Sequence, residues 1–151
     1  MLIKHLLISL IKLSSYLIRT TCLTVVDLTN NSIGGEGGFA ISLVLKENTR
    51  LKVLKLGMNK IDDMNASKII LSLGKNEFLE ELDLSSNHLG DMVSNSLSYC
   101  FKNNKRLKVM DFSYSQVFLD SEAKNLLEQH PCLIKLDLHS TKCSEGIYLI
   151  L

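Results

Sequence analysis

The sequence is poor in proline, aromatic residues and net charge. It contains a single proline, Pro131, no tryptophan and only 6% aromatic residues. The formal net charge is +1, so bulk electrostatics gives no case for binding nucleic acid or an acidic membrane surface. With 46% hydrophobic and 22% charged residues, the composition is that of an ordinary folded domain rather than a disordered chain. The 151 residues suffice for one domain.

The four cysteines, Cys22, Cys100, Cys132 and Cys143, predict neither a zinc site nor a disulfide. No two of them form a CxxC pair. Cys22 and Cys132 share one position of the repeat described below and stand four strands apart, roughly 19 Å at ~4.8 Å per strand. A disulfide requires Cα atoms within about 7 Å of each other. We therefore expect buried thiols and a reducing, cytoplasmic compartment.

No catalytic or cofactor-binding motif is recognisable. The four histidines lack metal-ligand spacing, and no serine lies in a nucleophile elbow. The glycine-rich residues 34–38 lack both the Lys-Ser/Thr pair of a phosphate loop and the GxGxxG spacing. Asp62 and Asp63 have no third ligand nearby, and Cys132 beside His130 precedes a core leucine, which favours a buried thiol over a nucleophile. We predict no enzymatic activity, no cofactor and no metal.

What the sequence does contain is a short motif repeated at a nearly constant period. Residues 79–87, LEELDLSSN, have the form LxxLxLxxN. Such a period is the signature of a repeat architecture whose units share one continuous core. We therefore predict a single repeat domain over residues 1–151. Its copies begin 28 residues apart at Leu23, Leu51, Leu79 and Leu107, and 26 residues later at Leu133.

Each copy predicts a strand followed by a helix. The alternation of Leu82, Asp83 and Leu84 is typical of a short strand with one buried face. Ile69 and Leu73, at i, i+4 spacing, represent the apolar stripe of the helix that follows. An asparagine recurs at each of the first three helix exits, where this residue tolerates a left-handed conformation. These asparagines are Asn48, Asn76 and Asn104.

A second set of asparagines ends the motif itself. A buried asparagine donates two hydrogen bonds and accepts two, so stacked copies can satisfy the backbone groups that the turning strands leave open. We expect a structural ladder of Asn31, Asn59 and Asn87. Ser115 and Thr141 replace asparagine in the last two copies, and the ladder should loosen there because one hydroxyl satisfies fewer partners.

These motifs resemble the leucine-rich repeats of the ribonuclease-inhibitor type. The resemblance implies an α/β solenoid shaped like a horseshoe, with parallel strands on the concave face and α-helices on the convex face. The closing segment LDLHSTKCSEGIYLI is similar to the last repeat of the dynein regulatory complex subunit 5 group. This implies a non-enzymatic protein-binding scaffold in the nexin-dynein regulatory complex of the ciliary axoneme. The alternative is a small-GTPase regulator similar to the Ran GTPase-activating proteins, although no rim motif of theirs matches here.

The concave face is the predicted partner-binding surface. Its central column is mostly acidic, and acids ~4.8 Å apart repel one another, so a basic protein partner would be favoured. The alternative is that the acids only confer solubility and that Lys55 offsets part of their charge. Loops and the convex face are also open to partners. The predicted site comprises Asp27, Lys55, Glu81, Asp83, Asp111, Lys135, Asp137 and His139.

Residues 1–22 are apolar and basic and contain no acid. Lys12 interrupts the apolar run and no small-x-small site follows, which disfavours a signal peptide. A transmembrane helix would need ~20 mostly uninterrupted apolar residues. A mitochondrial transit peptide fits the composition better, but the spacing of Leu17, six residues before the first motif as Leu45 is before the second, favours a helix ending a preceding repeat.

The two ends of the chain predict an uncapped solenoid. Repeat proteins need polar capping units, and neither is recognisable in the sequence. The fifth copy stops part-way through its expected helix, in the mostly apolar residues 147–151. We expect a piece of a longer repeat array or a member of a larger complex whose partner covers the ends.

Overall fold

The computed structural model describes residues 12, 15–19 and 22–142, and the backbone of residues 147–149. Residues 15–19 are helical. Strands and helices then alternate along the chain. They are β1 (Val25–Asp27), α1 (Gly34–Glu47), β2 (Val53–Lys55), α2 (Asp63–Leu73), β3 (Glu81–Asp83), α3 (Asp91–Asn103), β4 (Val109–Asp111), α4 (Ser121–Glu128), β5 (Lys135–Asp137) and β6 (Ile147–Leu149).

The strands form one sheet in the order β1 to β6. The first five are parallel, and their register pairs equivalent motif positions, so that Leu54 lies beside Leu82 and Leu82 beside Met110. The predicted α/β architecture of parallel strands alternating with helices is therefore confirmed. The period of the sequence sets this register because every repeat offers the same inward side chains.

A single apolar layer between the sheet and the helices forms the core. Leu54, Leu82 and Met110 on the inner face of the sheet are at most 1% exposed. Ile69 and Leu73 of α2 meet them from the other side and are completely buried. Burying a side chain of this size contributes roughly 1.5–3 kcal/mol, and no unit can achieve it without its neighbours.

The C-terminal end differs from the prediction of an interrupted helix. Residues 147–149 form β6, which pairs antiparallel with β5 and covers its outer edge. Pairing of the edge satisfies main-chain groups that would otherwise offer a template for another strand. The prediction of a helix over these residues was therefore wrong.

The N-terminal prediction can be compared with the structure at Leu17. Its side chain is 2% exposed, and its carbonyl accepts a hydrogen bond from the side-chain amide of Asn48. The carbonyl of Leu45 accepts the equivalent bond from Asn76. Leu17 thus makes the same contact with a helix-exit asparagine that Leu45 makes in the next repeat. Residues 1–11, on which the transit-peptide alternative depends, lie outside the described residues.

The turn asparagines connect successive repeats through their side chains. The amide of Asn87 donates to the carbonyls of Leu56, Leu84 and Ser85, at 2.9, 3.0 and 3.1 Å. Its oxygen accepts from the backbone N–H groups of Asn59 and Ile61 in the preceding repeat, at 3.1 and 2.9 Å. Asn59 makes the same set of bonds to the first repeat, and both side chains are buried. Each asparagine therefore supports two units.

The two ends of this ladder are weaker. Asn31 is exposed, and its amide donates to Leu28 and Thr29 of its own repeat. The Ser115 hydroxyl donates to Phe112 at 2.6 Å and accepts from Val117 at 3.4 Å, again within one repeat. The short hydroxyl thus makes local bonds where asparagine bridges two repeats.

The asparagines at the helix exits form a second ladder. The prediction of a left-handed conformation there was wrong, since Asn48 and Asn104 have φ of −76° and −78° and ψ of 127° and 135°. Their side chains explain the recurrence instead. The Asn104 amide donates to Leu73 and Asn76 of the preceding repeat, at 2.6 and 3.0 Å, and its oxygen accepts from Leu107 at 2.8 Å.

His130 takes the place of asparagine at the fourth helix exit. Its Nδ1 accepts from the backbone N–H groups of Cys132 and Leu133, at 3.3 and 2.9 Å, and the ring also hydrogen-bonds to the backbone of Asn104. An accepting Nδ1 requires the neutral imidazole protonated on Nε2. Burial lowers the pKa of His130 below its usual value, and the positive charge of Lys105 acts in the same direction.

No helix in the described part of the chain is long and apolar enough to cross a membrane.

We predict that Asn87→Ala lowers the free energy of unfolding by about 1–3 kcal/mol, because buried backbone groups in two repeats lose their partners. Ser115→Ala should cost less, since that hydroxyl serves one repeat only. Asn95→Ala, at an exposed position of α3, is the surface control and should stay within about 0.5 kcal/mol of the parent. Urea denaturation of the four proteins measures these differences, and equal midpoints would refute the ladder.

We predict a pH-dependent stability that His130→Asn removes. The pKa of His130 in the folded state lies below about 6.5, the usual value for an unfolded chain. The unfolded chain therefore binds more protons than the folded one, and the fold loses stability as the pH falls below about 6.5. Above that pH the stabilising contribution of His130 is fully present. Asparagine offers the same acceptor and donor without titrating. Melting temperatures of parent and variant should diverge between about pH 7.5 and pH 5.5, and parallel curves would contradict the prediction.

Candidate partner-binding surface on the concave face

The strand side chains that point away from the helices form the concave face, and they line up in columns across the sheet. The register places Asp83 directly beside Asp111, with Glu81 beside Val109. Seven of the eight residues of the predicted site lie in these columns, and His139 follows the end of β5. The two columns read Val25, Val53, Glu81, Val109, Lys135 and Asp27, Lys55, Asp83, Asp111, Asp137.

The aspartates of the central column have a structural role that sequence reasoning missed. Asp83 Oδ1 accepts from the backbone N–H of Ser85 at 2.8 Å, and Asp111 Oδ1 accepts from that of Ser113 at the same distance. Asp27 and Asp137 make the equivalent bonds, at 2.9 and 3.0 Å. The bonds to Thr29 lower the pKa of Asp27. Aspartate therefore recurs at this position because its Oδ1 accepts the backbone N–H two residues later, at the end of the strand. The second oxygen, Oδ2, is not used in that bond and can contact other partners.

The face carries an excess of negative charge at its centre. The eight residues provide five carboxylates and two ammonium groups, a net charge of −3 with His139 neutral. Lys135 and Asp137 form an ion pair at 3.4 Å. Within the described residues, no cationic side chain lies within ion-pair distance of the carboxylates of Glu81, Asp83 and Asp111. These three carboxylates are therefore available to a basic side chain of a partner.

A shallow cleft of about 220 Å³ opens between these groups. Gly57 leaves room for two side chains of the next repeat, because a Cβ there would lie 2.9 Å from Ser85 Oγ and 3.2 Å from Asp83 Oδ2. Apolar contacts come from Val53 and Val109, which the sequence analysis did not include in the site. The cleft is lined by Val53, Leu54, Lys55, Glu81, Leu82, Asp83, Val109, Asp111 and Lys135.

Glu80, on the rim of the sheet, is surrounded by three cations. Its carboxylate lies 3.4 Å from Lys52, 3.3 Å from Arg106 and 2.7 Å from Lys108. The hydrogen bond from Lys108 lowers the pKa of Glu80. Arg106 and Lys108, which lie between α3 and β4, are thus paired within the chain.

Close packing against the second repeat explains why residues 34–38 are rich in glycine. A Cβ on Gly35 would meet Asp62 Oδ2 at 1.8 Å, and one on Gly38 would meet the Ile61 side chain at 2.7 Å. Glycine at these positions lets α1 approach the second repeat. The segment therefore has a packing role.

The paired acids Asp62 and Asp63 act as helix caps. Asp62 accepts from the N–H of Asn65 at 2.9 Å and begins its own helix, α2. Asp63 instead accepts from Gly90 and Val93, at 2.8 and 3.0 Å, at the start of the next helix, α3. Among the described residues, no group of three or more candidate ligands could hold a metal ion.

The cysteines only partly match the expectation of buried thiols. Cys100 is completely buried, which raises the pKa of its thiol to about 12. Cys132 is half-buried and Cys22 is exposed, so that expectation was wrong for Cys22. Cys143 lies outside the described residues.

Comparison with known sequences gives one limited match. The Leucine Rich repeat family profile matches residues 20–42 and 75–91, which lie in the first repeat and around the third motif. No curated protein matches the chain significantly.

Solved structures give broader matches. The structure of the leiomodin-1 Actin-Binding Site 2 superposes with a TM-score of 0.70 at 23% identity, covering 85% of this chain and 78% of that one. The tropomodulin C-terminal domain of Caenorhabditis elegans gives 0.75 at 17% identity, covering 92% and 85%. At these identities the likeness shows the fold alone. Together with the repeats, these matches show that the chain has a leucine-rich repeat fold.

Proposed function

We propose that the chain is a non-enzymatic scaffold that binds a basic segment of a partner protein on its concave face. The observation that supports this most directly is the cluster of Glu81, Asp83 and Asp111 around the cleft. Each of the two aspartates uses Oδ1 for its own strand end and retains Oδ2 for a partner. A lysine or arginine side chain would reach both carboxylates, because adjacent strands stand ~4.8 Å apart.

The fold is suited to this function because its strands hold the acidic groups in fixed positions. A leucine-rich repeat sheet presents one row of side chains per repeat on a rigid surface, which reduces the entropy lost on binding. The neighbouring Val53 and Val109 add apolar contact to the charged one. Charge attraction of this kind accelerates association and selects against acidic partners.

Actin is a candidate partner only because the similar leiomodin-1 structure is named as an actin-binding site. Co-sedimentation with filamentous actin tests it directly, and sedimentation that depends on Asp83 and Asp111 would place actin on the concave face. The axonemal role and the alternative of GTPase regulation stay predictions that rest on the sequence resemblance. Stimulation of GTP hydrolysis by the chain would favour the regulator over the scaffold.

We predict that replacing Asp83 and Asp111 by asparagine weakens binding of a fluorescent oligolysine peptide by about tenfold or more, since hydrogen bonds to charged groups contribute ~1.5–3 kcal/mol each. Asparagine retains the Oδ1 acceptor for Ser85 and Ser113, so the melting temperature should change little. Substitution by lysine would break both bonds and confuse stability with binding.

The control is Glu36→Gln with Glu122→Gln, which makes the same charge change at two exposed helix-start positions. This variant should bind the peptide like the parent. Fluorescence anisotropy at low and high salt measures all three proteins. Equal affinity of the aspartate variant and the parent would exclude the concave face as the basic-peptide site.

A further inference from the structure

A groove on the opposite side of the molecule combines apolar and basic side chains. It runs between α1, α2 and α3 on the convex face and has a volume of about 320 Å³. Residues from all three helices and from the exit of α2 form its walls. They are Lys46, Lys68, Leu71, Ser72, Lys75 and Tyr99.

The two apolar residues of the groove are exposed, and the position of the aromatic ring is fixed by its packing. Leu71 and Tyr99 are 42% and 39% exposed. The Tyr99 ring rests on Gly74, where an added Cβ would lie 2.4 Å from ring atom Cε1. A ring positioned in this way loses little side-chain entropy when a partner covers it.

The three lysines of the groove form no ion pair among the described residues. Within the described residues, no ammonium group of Lys46, Lys68 or Lys75 has a carboxylate oxygen within 4.0 Å. Lys68 donates to Asn65 Oδ1 at 3.0 Å and lies 4.9 Å from the centroid of the Phe39 ring. Asp62 is the acid that interacts electrostatically with Lys68.

We propose that this groove binds an acidic segment of a partner protein. Carboxylates of the segment would pair with Lys46 and Lys75, and one of its apolar side chains would contact Leu71 and Tyr99. Charge complementarity carries this assignment, because three lysines and two exposed apolar side chains line the same groove. The preference is opposite to that of the concave face, so the two surfaces would take different partners.

The shape of the groove favours a peptide over an acidic membrane. Its apolar groups line a recess between helices, which accommodates side chains projecting from a partner. Binding to a bilayer instead requires apolar groups that insert into the lipid. Vesicle binding is therefore an informative alternative outcome.

The test begins with selection of a random displayed peptide library against the parent protein. We expect peptides enriched in Asp or Glu together with Leu, Phe or Tyr. A synthetic copy of the most enriched peptide is then measured by fluorescence anisotropy against Lys46→Glu with Lys75→Glu, and we expect binding at least about tenfold weaker than to the parent. The matched control, Lys60→Glu with Lys102→Glu, reverses two exposed lysines elsewhere and should retain most of the affinity.

The apolar contact is tested separately by Tyr99→Ala, which should weaken the same peptide by about tenfold. Tyr114→Ala, at an exposed position following β4, is its control and should have no effect. Far-UV circular dichroism confirms that each variant is folded.

Several results would overturn the proposal. They are enrichment of basic peptides only, failure to enrich any peptide, and equal affinity for the groove variant and the parent. Binding to phosphatidylserine vesicles that is lost in the groove variant, without peptide binding, would assign the groove to a membrane. Because Asp83 and Asp111 lie on the other face, their asparagine variant should bind the acidic peptide normally, which separates this proposal from the concave-face function.

Discussion

The structure depends on side-chain amides that join each repeat to the one before it. A strand of three residues, such as β3, offers few ladder hydrogen bonds, and the turns around it leave backbone groups without strand partners. Asn59 and Asn87 satisfy these groups at the strand exits. Asn76 and Asn104 do so at the helix exits. The apolar core supplies most of the burial, and the amides connect each unit to the one before it.

This support leaves the two outer surfaces free to differ in chemistry. On the concave face, carboxylates complete the strand ends and still present oxygens to solvent. On the convex face, Tyr99 and the lysines of the groove contribute nothing to the repeat motif. Surface side chains in a solenoid can vary because the motif positions alone maintain the fold. A scaffold with an acidic and a basic surface is thus compatible with a net charge of only +1.

His130 makes hydrogen bonds like those that asparagine makes at the other helix exits, although it is a different residue. Its imidazole accepts and donates where asparagine does, but it also titrates, which asparagine does not. Sequence comparison of the repeats aligns His130 with Asn104 by position only. Only the hydrogen bonds show that the two residues are equivalent, because what they share is the arrangement of donor and acceptor and not the residue type.

The sequence by itself determined the strands, the helices and the register, because a fixed period places equivalent apolar residues on one face in every unit. It also identified Asp83 and Asp111 as neighbours, since adjacent repeats become adjacent strands. Only the tertiary structure decided that the final segment forms β6. Local apolar runs do not distinguish a helix from an edge strand, and the pairing partner is supplied by β5. The convex groove likewise depends on how three helices pack, which no pattern within one helix encodes.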